Sequence, residues 1–160
     1  MKRYIIYILI ALCTLIGGFN VQYGYSPNSS VLSHFYYQFI HASIFHLIGN
    51  AYCVYMFYKL NIRSYWWIIG YIVSVIASFI VSHPNLCTVG FSGCIYAVLG
   101  LYYNKINSRG GMILISLLLF IPINAINMPL HILCFHSVFF IGQLYSYFKV
   151  IRKDVRRFTR

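Results

Sequence analysis

The chain has 160 residues, of which 61% are hydrophobic, 19% aromatic and only 8% charged, and its formal net charge is +11. A soluble domain carries about 25% charged residues, so this composition excludes a soluble nucleic-acid-binding protein and, with so many aromatic residues, a disordered chain. The only acidic residue is Asp154, which excludes aspartyl proteases and HExxH zinc enzymes. The composition therefore predicts an all-α integral membrane protein.

Six apolar stretches approach the length of about 20 residues that a membrane-spanning helix needs. They cover residues 4–18, 42–58, 65–81, 88–103, 112–123 and 130–148. The fifth is short because Pro122 ends or kinks it. The first follows Lys2 and Arg3 as a signal peptide would, but no small-residue cleavage site follows it, so we predict an uncleaved span. We expect one domain, residues 1–148, and a basic tail, residues 149–160.

The basic residues predict the orientation of these six spans. All 12 Lys and Arg residues lie before the first span, between the second and third, between the fourth and fifth, or after the sixth. The other three connections, 19–41, 82–87 and 124–129, contain none. The positive-inside rule then places both termini in the cytoplasm. The basic tail is expected to contact anionic lipid at the inner leaflet, and no nucleic acid is expected as a partner.

Polar side chains inside the predicted spans are functional candidates, because such groups are costly to bury in a bilayer. They lie at the outer ends or in the outer halves of the second, fourth and sixth spans, where a bundle could bring them to one wet cavity. In chain order they are His41, His46, Asn50, Ser92, Tyr96, His131 and His136. The spacing of four residues places His46 with Asn50, and Ser92 with Tyr96, on one helix face each.

These residue types allow one kind of covalent chemistry. A serine becomes a useful nucleophile when a base lies within hydrogen-bond reach. Asp154 lies beyond the sixth span on the cytoplasmic side, so any serine–histidine chemistry must be a dyad in which an aromatic or backbone group orients the imidazole. The start of a helix at Ser92 would also favour a developing oxyanion. The five cysteines form no CxxC pair, and we expect no metal and no cofactor.

The spacing of these motifs resembles that of the rhomboid family of intramembrane serine proteases. The resemblance covers about residues 35–145 and rests on three parts of the sequence. They are His41-x4-His46-x3-Asn50 in the second span, Gly90-Phe91-Ser92-Gly93 in the fourth and a histidine in the sixth. It implies a rhomboid-like bundle of six transmembrane helices with both termini inside.

The resemblance also implies a role for each residue. Ser92 would be the nucleophile and His131 the general base. His46, Asn50 and the backbone N–H of Ser92 would line an oxyanion hole. His41 would support that hole, Tyr96 would stack on the catalytic histidine, and Gly90 would shape the approach to Ser92.

Two histidines compete for the role of base. The family's sixth span has a small residue three positions after its histidine; Cys134 matches this for His131, whereas Phe139 would be the equivalent for His136. Counting from the next basic residue instead favours His136, which lies 13 residues before Lys149, just as Ser92 lies 13 before Lys105. We predict His131 and keep His136 as the alternative. Near the first outer loop, Ser33 and His34 replace a Trp-Arg pair that some members carry.

The expected function is therefore an endopeptidase that cuts transmembrane segments of other membrane proteins. We expect it in a bacterial inner membrane, with several spans. The alternative is an inactive rhomboid-like protein that binds membrane clients without cutting them. A haem protein that uses His46 with a histidine of the sixth span would leave the Gly-x-Ser-Gly motif unexplained. A transporter would lack an acidic residue within the membrane.

Overall fold

The structure, a computed structural model, describes residues 8, 15, 17–60, 62–82, 87–102 and 127–158. This part of the chain forms five α-helices and two short 3-10 helices, Val21–Tyr23 and Tyr37–Phe39. The α-helices are α1 (Ser33–Tyr36), α2 (Ile44–Lys59), α3 (Ser64–Ile80), α4 (Ser92–Tyr102) and α5 (Met128–Phe158). Across these described residues there is no β-strand, and one isolated bridge joins Tyr25 to Thr88. The predicted all-α class is therefore confirmed.

Four of the six predicted spans coincide with these helices. The second, third and fourth correspond to α2, α3 and α4, and the sixth to α5. Ile8 and Leu15 are helical, but the rest of the first span up to residue 16, and the whole fifth span at 112–123, lie outside the described residues. Met128–Lys149 is long and apolar enough to cross a membrane, whereas Ser64–Ile80 and Ser92–Leu101 are apolar but shorter. The number of spans and the side of each terminus stay predictions.

Side-chain caps explain where two of the helices begin. Ser43 precedes α2, and its hydroxyl accepts the N–H of His46 at 3.2 Å. Asn127 precedes α5, and its Oδ1 accepts the N–H of Leu130 at 3.3 Å. Pro129 lies in the first turn of α5, where a missing N–H costs no hydrogen bond. Helix α5 thus starts two residues before the predicted span and continues through residue 149, where the sequence suggested a separate tail.

Helix α4 is the centre of the described bundle and packs between α3 and α5. Its side chains are buried on every face, as expected of a helix that is apolar all round. Glycines allow the close approach: a Cβ added at Gly100 would lie 2.1 Å from the carbonyl oxygen of Phe135 on α5. A Cβ at Gly70 on α3 would lie 3.1 Å from Cys94 Sγ. Helix α4 therefore packs closely against α3 near Cys94 and against α5 at Gly100.

The outer faces of α2 and α3 are apolar and exposed. On α2 the exposed residues include Ile44, Phe45, Ile48, Tyr52 and Tyr55, and on α3 they include Ile68, Ile72, Ile76 and Phe79. Continuous apolar surface of this kind indicates contact with lipid or with another protein.

The segment between residues 17 and 43 packs against the end of the bundle at which α4 begins. Tyr25 and Tyr37 from this segment are completely buried. The N–H of Tyr25 donates to the carbonyl of Thr88 at 3.1 Å, and the N–H of Thr88 donates back to Tyr25 at 2.8 Å. This first loop is therefore fastened to the residues that lead into α4.

Candidate active site

Ser92 is the first residue of α4, and the turn before it depends on a glycine. Gly90 has φ +107, a backbone conformation that favours glycine. Its N–H donates to the carbonyl of Tyr37 at 3.0 Å, so the first loop holds the turn in place. The side chain of Ser92 is buried apart from 8% of its surface. The hydroxyl of Ser92 is therefore buried next to the first loop.

The structure brings the hydroxyl of Ser92 to the imidazole of His131. Ser92 Oγ lies 2.8 Å from Nε2 of His131, a hydrogen-bond distance. The ring of Tyr96, one turn along α4, stacks on His131 with centroids 4.4 Å apart and an angle of 22°. Nδ1 of His131 is buried and has no hydrogen-bond partner among the described residues. An aromatic face, rather than a carboxylate, thus orients the imidazole.

His136, the alternative base, lies away from this pair. It is five residues further along α5, about 140° around the helix, and its side chain is exposed. Its Nδ1–H donates to the carbonyl of Ile132 at 2.9 Å, within its own helix. The structure therefore brings His131, and not His136, to Ser92.

Side chains from α2 converge on the same turn. Asn50 is buried, and its Nδ2 has no hydrogen-bond partner within the described part of the chain. A Cβ added at Gly90 would lie 3.4 Å from Asn50 Nδ2 and 2.6 Å from His46 Nε2. A side chain at position 90 would collide with the His46 ring, which together with the positive φ explains the glycine.

The protonation of His46 follows from its neighbours. Its Nδ1 lies 3.5 Å from the backbone N of Ala42, a contact that favours the tautomer with its proton on Nε2, the nitrogen that faces Gly90. His41 is fully buried, and its ring contacts that of His46 edge-on, with centroids 5.2 Å apart. His41 therefore packs next to His46 and does not itself reach Ser92. Two N–H donors, from Asn50 and His46, approach the turn before Ser92.

A second serine–histidine pair joins the first loop to α3, and its chemistry differs. His34 Nδ1 lies 2.9 Å from Ser78 Oγ. The Ser78 hydroxyl donates to the carbonyl of Val75 at 2.6 Å, so its oxygen accepts the proton of His34. His34 also stacks on Phe79 with centroids 4.0 Å apart, and burial lowers its pKa. A ring that donates to the hydroxyl cannot also be its base, so this pair anchors the loop.

A polar cluster beside the dyad contains three residues that the sequence analysis did not select. Asn127 donates from Nδ2 to Tyr25 Oη at 2.9 Å and to Thr88 Oγ1 at 3.1 Å. Tyr25 Oη in turn donates to the carbonyl of Val81 at 3.0 Å. Burial raises the pKa of Tyr25 well above its usual value, which keeps the hydroxyl protonated as a donor. The signal in the sequence was the helix start Asn127-Met128-Pro129.

No group of three His, Cys, Asp or Glu side chains in the described residues is arranged to hold a metal ion. The buried cysteines Cys53, Cys94 and Cys134 are free thiols. The described site thus consists of a hydroxyl, an imidazole and N–H donors. These groups suit acyl transfer through a serine nucleophile.

Comparison with the curated proteins and with the solved structures gives no match. Comparison with protein families does: the Rhomboid domain matches residues 28–146, which include α1 to α4 and most of α5. This range contains Asn50, Ser92 and His131 and covers well over half of the chain. The chain therefore belongs to the rhomboid family.

Proposed function

We propose that the protein is an intramembrane serine endopeptidase that uses Ser92 and His131 as a catalytic dyad. The observation that supports this most directly is the distance of 2.8 Å between Ser92 Oγ and His131 Nε2. Rhomboid proteins are membrane proteins and generally intramembrane serine proteases, which agrees with this chemistry. The donors near Gly90 supply the other element that peptide hydrolysis requires.

The reaction has two halves. The hydroxyl of Ser92 gives its proton to Nε2 of His131 while its oxygen attacks the substrate carbonyl carbon. The negative charge on the resulting oxyanion is stabilised by the N–H groups of Asn50, His46 and the Ser92 backbone. The imidazolium then protonates the leaving amine as the peptide bond breaks, leaving an acyl-enzyme. Water attacks that ester with His131 again as base, and Ser92 regains its proton.

The substrates of this reaction are transmembrane segments of other membrane proteins. A membrane helix has its carbonyls hydrogen-bonded, so it must unwind locally before Ser92 can attack one of them. The apolar outer faces of α2 and α3 suit contact with lipid or with such a helix. We place the protein in a bacterial inner membrane with several spans, the site on the outer side, and the basic tail against anionic lipid. No nucleic-acid partner is part of this proposal.

The test compares two serines that each lie within hydrogen-bond distance of a histidine. Purified protein in liposomes is mixed with a peptide that contains one transmembrane segment, and cleavage is followed by mass spectrometry. Ser92→Ala should abolish cleavage, whereas Ser78→Ala, which removes the hydroxyl bonded to His34, should retain it. Cleavage that persists in Ser92→Ala would defeat the proposal.

A serine-reactive fluorophosphonate distinguishes a protease from an inactive client-binding protein on the same fold. The parent chain and Ser78→Ala should be labelled, and Ser92→Ala should not. A folded parent chain that neither reacts nor cleaves would support the client-binding alternative.

A further inference from the structure

The polar cluster of Asn127, Tyr25 and Thr88 joins three separate parts of the chain. Tyr25 belongs to the first loop, Thr88 to the segment before α4, and Asn127 immediately precedes α5. Both hydrogens of the Asn127 amide are used, at 2.9 Å to Tyr25 Oη and 3.1 Å to Thr88 Oγ1. Asn127 and Tyr25 are buried, so water offers these groups little competition.

The other side of Asn127 fixes the beginning of α5. Its Oδ1 accepts the N–H of Leu130 at 3.3 Å, and its backbone carbonyl accepts the N–H of His131 at 3.2 Å. One side chain therefore both caps the helix that carries His131 and connects that helix to Thr88.

Only four residues of chain separate the Asn127–Thr88 bond from each member of the dyad. Thr88 precedes Ser92 by four residues, and Asn127 precedes His131 by four. The bridge between Tyr25 and Thr88 holds the first of these segments in place. At the far end of the interface, Gly100 packs on Phe135, two turns along α4 from Ser92. The bond from Asn127 to Thr88 is thus a polar link, besides the Ser92–His131 bond itself, at the end of α4 and α5 where the dyad lies.

We propose that Asn127 is a positioning residue that sets the distance between Ser92 and His131 by tying the start of α5 to Thr88 and Tyr25. The role rests on the proposed function, because the distance matters to a reaction between the two side chains. Asn127 touches neither the substrate nor the reacting atoms. A displacement of about 1 Å in such a pair can lower the rate about a hundredfold.

Two substitutions separate the two tasks of Asn127. Asn127→Ser keeps a good helix cap, but its side chain is too short to reach Thr88 and Tyr25 as well. Thr88→Val removes the acceptor Oγ1 and keeps the shape of the side chain and the backbone bridge. The control is Tyr71→Phe, which removes a hydroxyl bond of 2.8 Å between α3 and the carbonyl of Phe35 in the first loop, away from the dyad.

The kinetic experiment measures kcat and KM of each full-length variant in liposomes, per folded molecule. Asn127→Ser should lower kcat about ten- to a hundredfold with KM unchanged, and Tyr71→Phe should change neither. In the double variant, Thr88→Val should add little to the loss caused by Asn127→Ser, because both remove the same bond. A role that is only structural would lower the folded fraction and leave kcat per folded molecule at the parent value. That result, or additive losses in the double variant, would overturn the proposal.

A spectroscopic measurement keeps this test independent of cleavage. The 15N NMR resonances of the His131 ring, assigned by their loss in His131→Ala, report its hydrogen bond to Ser92. They should shift in Asn127→Ser and stay in place in Tyr71→Phe. If the parent chain neither cleaves nor reacts with a fluorophosphonate, the proposed function fails, and the ring resonances alone decide the positioning role. Unchanged resonances in Asn127→Ser would then overturn it, and shifted ones would support it.

Discussion

At the scale of single residues, the two histidines of α5 provide the sharpest contrast. His131 lies 2.8 Å from Ser92 Oγ and is buried, whereas His136 is exposed and bonded to its own helix. His131→Ala should therefore reduce cleavage to the level of Ser92→Ala, and His136→Ala should leave kcat within about twofold of the parent, as a surface substitution does. Cleavage of a transmembrane peptide measures both. An inactive His136→Ala that remains folded would contradict this assignment.

Asn50 supplies a second prediction at the same scale. Its Nδ2 is buried near Gly90 and has no partner among the described residues, so it is free to donate to an oxyanion. Asn50→Ala should lower kcat about 100- to 1,000-fold, the usual loss when one oxyanion donor is removed, with little change in KM. Steady-state kinetics in liposomes distinguishes the two parameters. A raised KM with the parent kcat would mean that Asn50 binds substrate and does not stabilise the oxyanion.

At the scale of helices, the crossing of α4 and α5 depends on Gly100. A Cβ there would lie 2.1 Å from the carbonyl oxygen of Phe135 and 3.2 Å from the N atom of Phe139, so the helices would have to move apart. Gly100→Ala should lower the free energy of unfolding by about 1–3 kcal/mol, the usual cost of overpacking. It should also lower kcat, because the same two helices carry Ser92 and His131.

Gly49 on α2 is the matched control for this substitution. A Cβ at Gly49 has no neighbour within 4 Å. Gly49→Ala should leave stability unchanged or raise it by up to about 1 kcal/mol, since alanine favours a helix more than glycine does. Thermal unfolding in detergent compares the two variants. Equal effects at both positions would show that helix propensity, and not the contact with α5, determines the result.

The helices also show which features a sequence reveals. Four residues of spacing predict that His46 and Asn50 share a face of α2, because helical periodicity is local. The count from Lys149 favoured His136, whereas the structure brings His131 to Ser92. That count used basic residues as depth markers, and α5 continues past Lys149 to Phe158. The bond between Asn127 and Tyr25 joins residues 102 positions apart. No local pattern encodes such a contact, and the helix-start signal at Asn127 alone does not identify its partners.

At the scale of the whole molecule, the match to the Rhomboid domain establishes the family. The catalytic roles of Ser92 and His131 and the six-span topology stay predictions. The described helices α2 and α3 contain 16 and 17 residues, about 24–26 Å at 1.5 Å per residue. The hydrocarbon core of a bilayer is about 30 Å thick, which exceeds both lengths. Evidence other than helix length is therefore needed to show that either helix crosses the membrane. The predicted topology rests on the uneven distribution of Lys and Arg among the loops. This topology can be tested without knowing the substrate.

A native cysteine offers that test. Cys87 lies in a connection predicted to face outward and is exposed, while Cys53, Cys94 and Cys134 are buried. Cys13 lies outside the described residues, so it is first replaced by serine. A membrane-impermeant maleimide should then label this chain in intact bacterial spheroplasts, and adding Cys87→Ser should remove that label. Leu60 lies between the second and third spans and is also exposed. In that doubly substituted background, Leu60→Cys should be labelled only after lysis, because Lys59 and Arg63 retain that loop in the cytoplasm. Labelling at position 60 in intact spheroplasts would reverse the orientation and place the Ser92 end of α4 on the inner side.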